Sequence, residues 1–395
     1  LSPPDERKTS LFPSISGQFT KFAWINANSL EIVNSPGYTV VVKVTLKTIA
    51  DATESSISTV SRVLSGDPAI SARTAERVRN TARSLNYPLR ERHLSLGSDR
   101  ILESKTIALV SLGMDRSLLS LPAVSLAING AEAELSRCGA RVMLSHVPDL
   151  TNCPQLLREK GLAGIVVAGS SQGTVVGSHR SELLQRLRQL PTVWILGRPE
   201  GCWGDAVGSN DFLAGQMAAD YLFARGHRRL AYLNPKPDHL VFIRRGAGFV
   251  SRAGSLGAEV VMIAKAPAGG WTLPDRPALT TDAVVPLVHD LLAMSPRPTA
   301  VFAAADSVAA AAYRALAMLG LQVGTDLSLL SANNDESLTA GLYPHLTTID
   351  IHAEQIGRMA VAQLARRVAD PDFPVASELL LQPTFVERDS VANHS

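Results

Sequence analysis

The sequence predicts a small all-α helix-turn-helix head joined to a large α/β body of two lobes. Three observations carry that prediction. Residues 41–88 hold three short amphipathic segments separated by polar turns. From Lys105 onward, short apolar runs alternate with helical stretches. Net positive charge is concentrated at the front of the chain, and the body is mildly acidic.

In the head, Thr45 is a good N-cap, and Leu46, Ile49 and Ala50 share one face of a first helix. A tight polar turn, Thr53-Glu54-Ser55, follows. Ser55 or Ser56 can cap a second helix whose Val60, Val63 and Leu64 point inward, and Ser65-Gly66 ends it. At about 100° per residue, Ser58, Ser61 and Arg62 fall on the opposite side and Ile57 at the border. Ser71 caps a third helix in which Ala75, Val78, Ala82 and Leu85 form the apolar stripe. Its other faces carry Arg73, Arg77, Arg79 and Arg83. A core this small is only marginally stable alone. The arrangement is one that lays a helix in the major groove of DNA. Taken alone, a Ser/Ser/Arg face also suits a helix that merely stays soluble; the basic third helix beside it shifts the reading toward DNA.

In the body, KTIALVSL (Lys105 to Leu112) reads as a buried strand, followed by a helix through INGAEAELSRCG. RVMLSHV, GIVVAG, TVWILG, RRLAYLN, TAVFAAAD and LSLLSA continue the strands, with helices such as LAGQMAADYLFARG between them. Apolar runs alternating with amphipathic helices mean parallel, doubly wound sheets covered on both faces. There are too many strands for one sheet, so two lobes with a cleft are expected, and ligands in such folds sit beyond the carboxyl ends of the strands.

With 46% hydrophobic and 19% charged residues, the composition is that of a soluble globular protein, and 395 residues suit two or three domains. No run approaches the roughly 18 apolar residues of a membrane span. Cys138, Cys153 and Cys202 lack metal-ligand spacing, so neither a disulfide framework nor a metal is expected, and a reducing cytoplasm is the expected compartment. The net charge is +2, yet residues 41–105 carry +4 and the rest of the body −2. A basic head on a mildly acidic body fits a localised polyanion contact. Residues 1–40 start at Leu1, show no sustained period and lack the apolar core of a signal peptide. They read as a disordered or mis-started leader, with a natural start near Val41 to Lys43.

Thr45-Leu46 to Ile49-Ala50, Ser58-Thr59-Val60-Ser61-Arg62-Val63-Leu64, Ser71 to Thr74, Val78 and Leu85-Asn86-Tyr87 resemble the headpiece of the lactose-repressor (LacI/GalR) family of bacterial transcription regulators. The resemblance continues through Gly226-His227-Arg228-Arg229, Arg245-Gly246-Ala247-Gly248-Phe249, Asp306 and Pro344-His345-Leu346-Thr347-Thr348-Ile349. It implies a periplasmic-binding-protein-like, two-lobed effector domain at 105–395, a headpiece at 41–88 and a hinge connector at 89–104. Lobe 1 would span about 105–207 and 345–372, and lobe 2 about 208–344 and 373–395.

By the same resemblance, Ile57, Ser58 and Arg62 would face base edges, Arg62 gripping a guanine and Ile57 a thymine methyl. Thr45, Ser56, Thr59 and Ser61 would mainly reach phosphates. Tyr87 belongs to the same surface, and Leu96 stands where the family wedges a leucine into the minor groove. Arg245, Asp306 and Asn333 would line the cleft and hold a small polar effector, a sugar or related metabolite. The implied partner is double-stranded operator DNA, read by a homodimer with no cofactor. Three places depart from the family. Glu54 occupies a turn position usually held by Gly, His93 replaces a small residue in the connector, and Ser331-Ala332-Asn333-Asn334 replaces the usual Gly-aromatic-Asp.

Two rival readings come from other classes. A periplasmic solute-binding protein would share the two-lobed fold but needs an export signal and no basic head. A serine hydrolase would use Ser171, because Gly169-Ser170-Ser171-Gln172-Gly173 satisfies G-x-S-x-G. A nucleophile elbow should turn straight into a helix, whereas β-prone TVVG follows here.

Overall fold

The computed structural model describes residues 45–64, 70, 71, 74, 77, 78, 80–82, 98–158, 161–266, 270–276 and 281–394. The expectations for the leader and for Ala75, Leu85, Tyr87, His93 and Leu96 lie outside these residues. The chain divides into two compact units, Leu1–Leu94 and Ser95–Ser395.

In the first unit, α1 (Leu46–Ala52) is opened by a reciprocal cap. The Thr45 hydroxyl accepts from the Thr48 amide at 3.3 Å, and the Thr45 amide donates to the Thr48 hydroxyl at 3.2 Å. Thr53 closes the helix, buried, with its hydroxyl donating to the Ile49 carbonyl at 2.7 Å. The chain reverses through Glu54 at φ +49°, a left-handed conformation that glycine adopts without strain. Helix α2 (Ile57–Leu64) begins where the Ser56 hydroxyl accepts from the Thr59 amide at 3.0 Å. Ser71 caps the third segment through the Thr74 amide at 3.3 Å. Ile49, Ala50, Val60, Val63, Val78 and Ala82 form the core, and each fully buried valine contributes roughly 1.5–3 kcal/mol.

The second unit opens with α3 (Ser98–Leu102), whose Leu102 is buried in a hydrophobic core with Leu364 and Ala365. Lobe 1 then runs β1 (Thr106–Leu112), α4 (Arg116–Leu119), α5 (Pro122–Arg137), β2 (Arg141–Val147), α6 (Gln155–Arg158), β3 (Leu162–Gly169), α7 (Glu182–Leu187), β4 (Thr192–Ile195) and β5 (Asp205–Ser209). Lobe 2 runs α8 (Asp211–Ala224), β6 (Arg229–Asn234), α9 (Leu240–Leu256), β7 (Glu259–Ala264), α10 (Thr281–Leu292), β8 (Ala300–Ala303), α11 (Asp306–Met318), β9 (Ser328–Leu330), α12 (Glu336–Thr339) and β10 (Thr348–Asp350). The chain returns to lobe 1 with α13 (Ala353–Ala369) and β11 (Glu378–Leu381), then to lobe 2 with β12 (Thr384–Val386).

The lobe 1 sheet has the order β11-β5-β4-β3-β1-β2 and the lobe 2 sheet β7-β6-β8-β9, both parallel throughout. Strands β4 and β8 are buried at every position, as central strands covered on both faces must be. The edge strands β2 and β7 instead have exposed positions.

Each lobe is closed by one tight helix crossing built on a pair of glycines. In lobe 1, a Cβ on Gly130 of α5 would lie 2.1 Å from the Glu354 carbonyl of α13, and one on Gly357 of α13 1.9 Å from the Ala127 carbonyl of α5. In lobe 2, a Cβ on Gly215 of α8 would lie 2.0 Å from the Arg245 carbonyl of α9, and one on Gly248 of α9 1.9 Å from the Phe212 carbonyl of α8. Backbone meets backbone at both crossings, and no side chain fits between them.

Three crossovers join the lobes, after β5, after β10 and after β11. They lie side by side. The Asn210 amide donates to the Leu381 carbonyl at 2.8 Å, and the Thr384 hydroxyl meets His352 Nε2 at 3.2 Å. The expected boundaries at residues 345 and 373 are corrected accordingly. Thr348–Asp350 pairs with β12, and Thr347 bridges Leu330, so the second crossover comes after Asp350. Glu378–Leu381 pairs with β5 and therefore belongs to lobe 1, so the third crossover follows Leu381. Both returning segments are short strands captured by a neighbouring sheet edge, which sequence pattern does not reveal.

Candidate functional site

The outward face of α2 carries Ser58, Ser61 and Arg62 together with the apolar Ile57. Ser56, Ser58, Ser61 and Arg62 are exposed, and Ile57 keeps 49% of its surface open although it is the helix's first residue. The inward Val60 and Val63 hold this face in place. At the helix start, Ser56 Oγ lies 2.8 Å from Ser58 Oγ and 2.8 Å from Thr59 Oγ1. Thr59 is half-buried, and Thr45 is exposed with its hydroxyl engaged in the cap of α1. Arg77 adds an exposed cation on the third segment.

In the second unit, a cavity of about 120 Å³ lies between the lobes. It is bounded by residues just beyond the carboxyl ends of β1, β3, β4 and β5 on one side and β6, β8 and β9 on the other. That is where doubly wound sheets bind ligands. Lobe 2 supplies a chain of charge. Arg245, 1% exposed, donates from Nε to Asp211 at 2.9 Å, from Nη1 to the Ala304 carbonyl at 2.6 Å and from Nη2 to Asn333 Oδ1 at 3.0 Å. Burial pushes the Asp211 carboxyl up, and the Arg245 guanidinium opposes that rise. Lys236 Nζ donates to Asp275 Oδ1 at 2.5 Å, and both side chains are buried. Burial drives His239, on the same wall, down to about 3, with Lys236 adding to the fall, so its imidazole is neutral.

The two lobes are hydrogen-bonded across the mouth of this cavity. The Leu240 amide donates to the Ser171 carbonyl at 2.9 Å and the Gly173 amide to the Asp238 carbonyl at 2.8 Å. Asp275, carried by a lobe 2 loop, reaches further. Its amide donates to the Gly113 carbonyl at 2.8 Å, its carbonyl accepts from the Asp115 amide at 2.7 Å, and its carboxylate accepts from the Ser170 hydroxyl at 2.9 Å. Lobe 1 contributes an apolar stretch, Met114, Leu118, Leu121, Val124, Ile195 and Leu196, beside the hydroxyl residues Ser170, Ser171 and Ser209.

Residues 45–88 match the family described as bacterial regulatory proteins, lacI family, and residues 219–391 match the periplasmic binding protein-like domain. The chain carries a LacI-family DNA-binding domain and a periplasmic binding protein-like domain. It is a DNA-binding transcriptional regulator. The ribose operon repressor of Escherichia coli (strain K12) is 27% identical over 354 residues, spanning 88% of this chain and 99% of that protein. The HTH-type transcriptional repressor PurR of Vibrio atlanticus (strain LGP32) is 26% identical over 353 residues, spanning 88% and 98%. Among solved structures, the lac repressor dimer bound to operator and the anti-inducer ONPF has a TM-score of 0.56 at 20% identity, covering 89% of this chain and 100% of that one. A LacI family regulator from Enterococcus faecium with bound ribose has a TM-score of 0.58 at 23% identity, covering 74% and 100%. At these identities the two likenesses concern the fold.

Of the three cleft residues expected in the regulator, Arg245 and Asn333 line the cavity and touch each other. Asp306 does not, which corrects the expectation. It is 0% exposed. One carboxylate oxygen accepts from the hydroxyls of Ser331 and Thr348, and the other accepts from the Asp335 amide at 2.7 Å. Asp306 thus staples the start of α11 to the segments after β9 and before α13, and its neighbour Ser307 faces the cavity instead.

Several cavity residues carried no sequence signal. Lys236 and Asp275 are 39 positions apart and pair only through a loop. Ser209 ends a strand whose DAVGS sequence has no apolar run. The one signal that could have found Lys236 is its place just beyond the RRLAYLN strand, since it lines the cavity from there. The G-x-S-x-G segment is also resolved. After Ser171 the chain passes through a bridge and turns to residue 178, neither helix nor strand, and the Ser170 hydroxyl is given to Asp275. A nucleophile elbow needs a helix at that point.

Proposed function

We propose that this chain is a repressor that binds a near-palindromic operator as a homodimer, and that a small polar metabolite in the inter-lobe cavity controls its DNA affinity. The observation that carries the DNA contact is α2, which buries Val60 and Val63 and leaves Ile57, Ser58, Ser61 and Arg62 outward on one face. On this reading Ile57, Ser58 and Arg62 read base edges, and Thr45, Ser56, Thr59 and Ser61 fix register on phosphates. The lac repressor dimer bound to operator and the ribose-bound regulator support the dimer and the effector by likeness of fold. The activity is binding rather than catalysis, and its place is the bacterial cytoplasm.

The effector acts by favouring one lobe arrangement, which requires different affinity for the DNA-competent and incompetent states. The test begins by selecting an operator from a random duplex library with the full chain. Arg62→Ala then loses roughly 1–3 kcal/mol at a guanine of that operator and relaxes the preference there. Unchanged affinity and preference in Arg62→Ala overturn the groove assignment.

A further inference from the structure

The effector cavity divides by chemistry, and the division narrows what enters it. Both of its cations are already neutralised, Arg245 by Asp211 at 2.9 Å and Lys236 by Asp275 at 2.5 Å. A carboxylate or phosphate ligand would therefore bury a negative charge that neither cation is left to offset. The polar wall nevertheless has capacity to spare. Arg245 uses three of its five N–H groups on protein acceptors. The Ser209 hydroxyl, in a residue 4% exposed, has no partner, and neither has His239 Nδ1. Buried polar atoms without partners are costly, and a ligand hydroxyl satisfies them. The apolar stretch of Met114, Leu118, Leu121, Val124, Ile195 and Leu196 has no side-chain group to bond a hydroxyl. At about 120 Å³ the cavity is far below the roughly 300–1,000 Å³ of drug-sized sites, so the ligand is small.

Resting on the reading of this cleft as the effector site, we propose that the effector is an uncharged polyol with an apolar flank, of the deoxy-sugar class. Its hydroxyls face Arg245, Ser209, His239 and Asn333, and its methyl faces Leu118, Leu121 and Val124. A fully hydroxylated sugar must bury a hydroxyl against the leucine wall, and a sugar acid must bury a net charge. An apolar pocket discriminates against an added hydroxyl by up to about 100-fold.

The test uses calorimetric titration of the full chain with the methylpentoses L-rhamnose and L-fucose, their hydroxylated parents L-mannose and L-galactose, D-ribose, galacturonate and hypoxanthine. The expected result is that one methylpentose binds about 10- to 100-fold more tightly than its own parent. Leu121→Asn shrinks that ratio, whereas Ser209→Ala weakens methylpentose and parent alike without altering the ratio. A parent, ribose, the acid or the purine binding as tightly as the methylpentoses overturns the proposed class. If that binding is lost in Ser209→Ala, the cleft still stands as the effector site. A probe whose binding ignores both substitutions overturns class and site together, and binding by none of the probes overturns the class.

Discussion

Glu54 holds the tight turn between α1 and α2 at φ +49°, and that angle makes a quantitative prediction. A side chain in the left-handed region costs roughly 1–2 kcal/mol because its Cβ crowds the following carbonyl. Glycine avoids that cost but loses about 0.5–1 kcal/mol through the greater freedom of its unfolded chain. Glu54→Gly therefore stabilises the headpiece by about 0.5–1 kcal/mol. Amide exchange at Ile49, Ala50, Val60 and Val63, whose side chains form the headpiece core, reads this directly: exchange slows by roughly two- to fivefold. Glu54→Ala separates backbone from charge, since it removes the carboxylate but keeps the Cβ. It leaves exchange near the parent value, while both variants bind DNA more tightly at low salt because each removes the same anion from the turn. Equal stabilisation by Gly and Ala, or destabilisation by Gly, would refute the backbone reasoning.

Three further predictions concern the second unit. Gly248→Ala forces the α8–α9 crossing apart and lowers the urea midpoint, whereas Gly254→Ala on the same helix meets nothing within 4 Å and gains about 0.5–1 kcal/mol; equal effects at the two sites would sink the crossing argument. Arg245→Met leaves Asp211 buried without its partner and costs about 3–5 kcal/mol, and adding Asp211→Asn recovers much of the loss in the same denaturation assay. Burial, with Asp306 adding to it, raises Asp335 from 3.8 to about 7. The fold favours its protonated form, so the parent loses stability as pH rises from about 4 through about 7. Asp335→Asn escapes that loss, so its melting temperature exceeds the parent's above pH ~7 and the gap closes toward pH ~4; a gap independent of pH would contradict the assignment.

How much the sequence revealed depended on whether a signal was local. The apolar runs that became β1, β3, β4 and β6 were legible because a strand covered on both faces must be apolar along its length, or nearly so. The caps at Thr45, Ser56 and Ser71 were legible because a hydroxyl reaches an amide three residues on. The short strands β10 and β11 were not, since each is paired with a strand far along the chain. Asp306 illustrates the limit within the candidate site. Its place after a strand was readable, but its hydroxyl partners sit 25 and 42 positions away and turn the carboxylate into the packing instead of the cavity. Lys236 and Asp275 were hidden for the same reason, their pairing depending on a loop with no period.

The three crossovers, tied laterally through Asn210 to Leu381 and Thr384 to His352, act as a strip hinge rather than three loose cords. A strip resists sliding and twisting in its own plane and yields mainly to bending across its width. The motion of one lobe against the other then reduces to a single coordinate, an opening angle. Two effectors of different shape that hold the same angle must produce the same output. A substitution that unties the strip, such as Thr384→Val, would add a second coordinate and let a ligand bind fully while its message to the DNA is blurred.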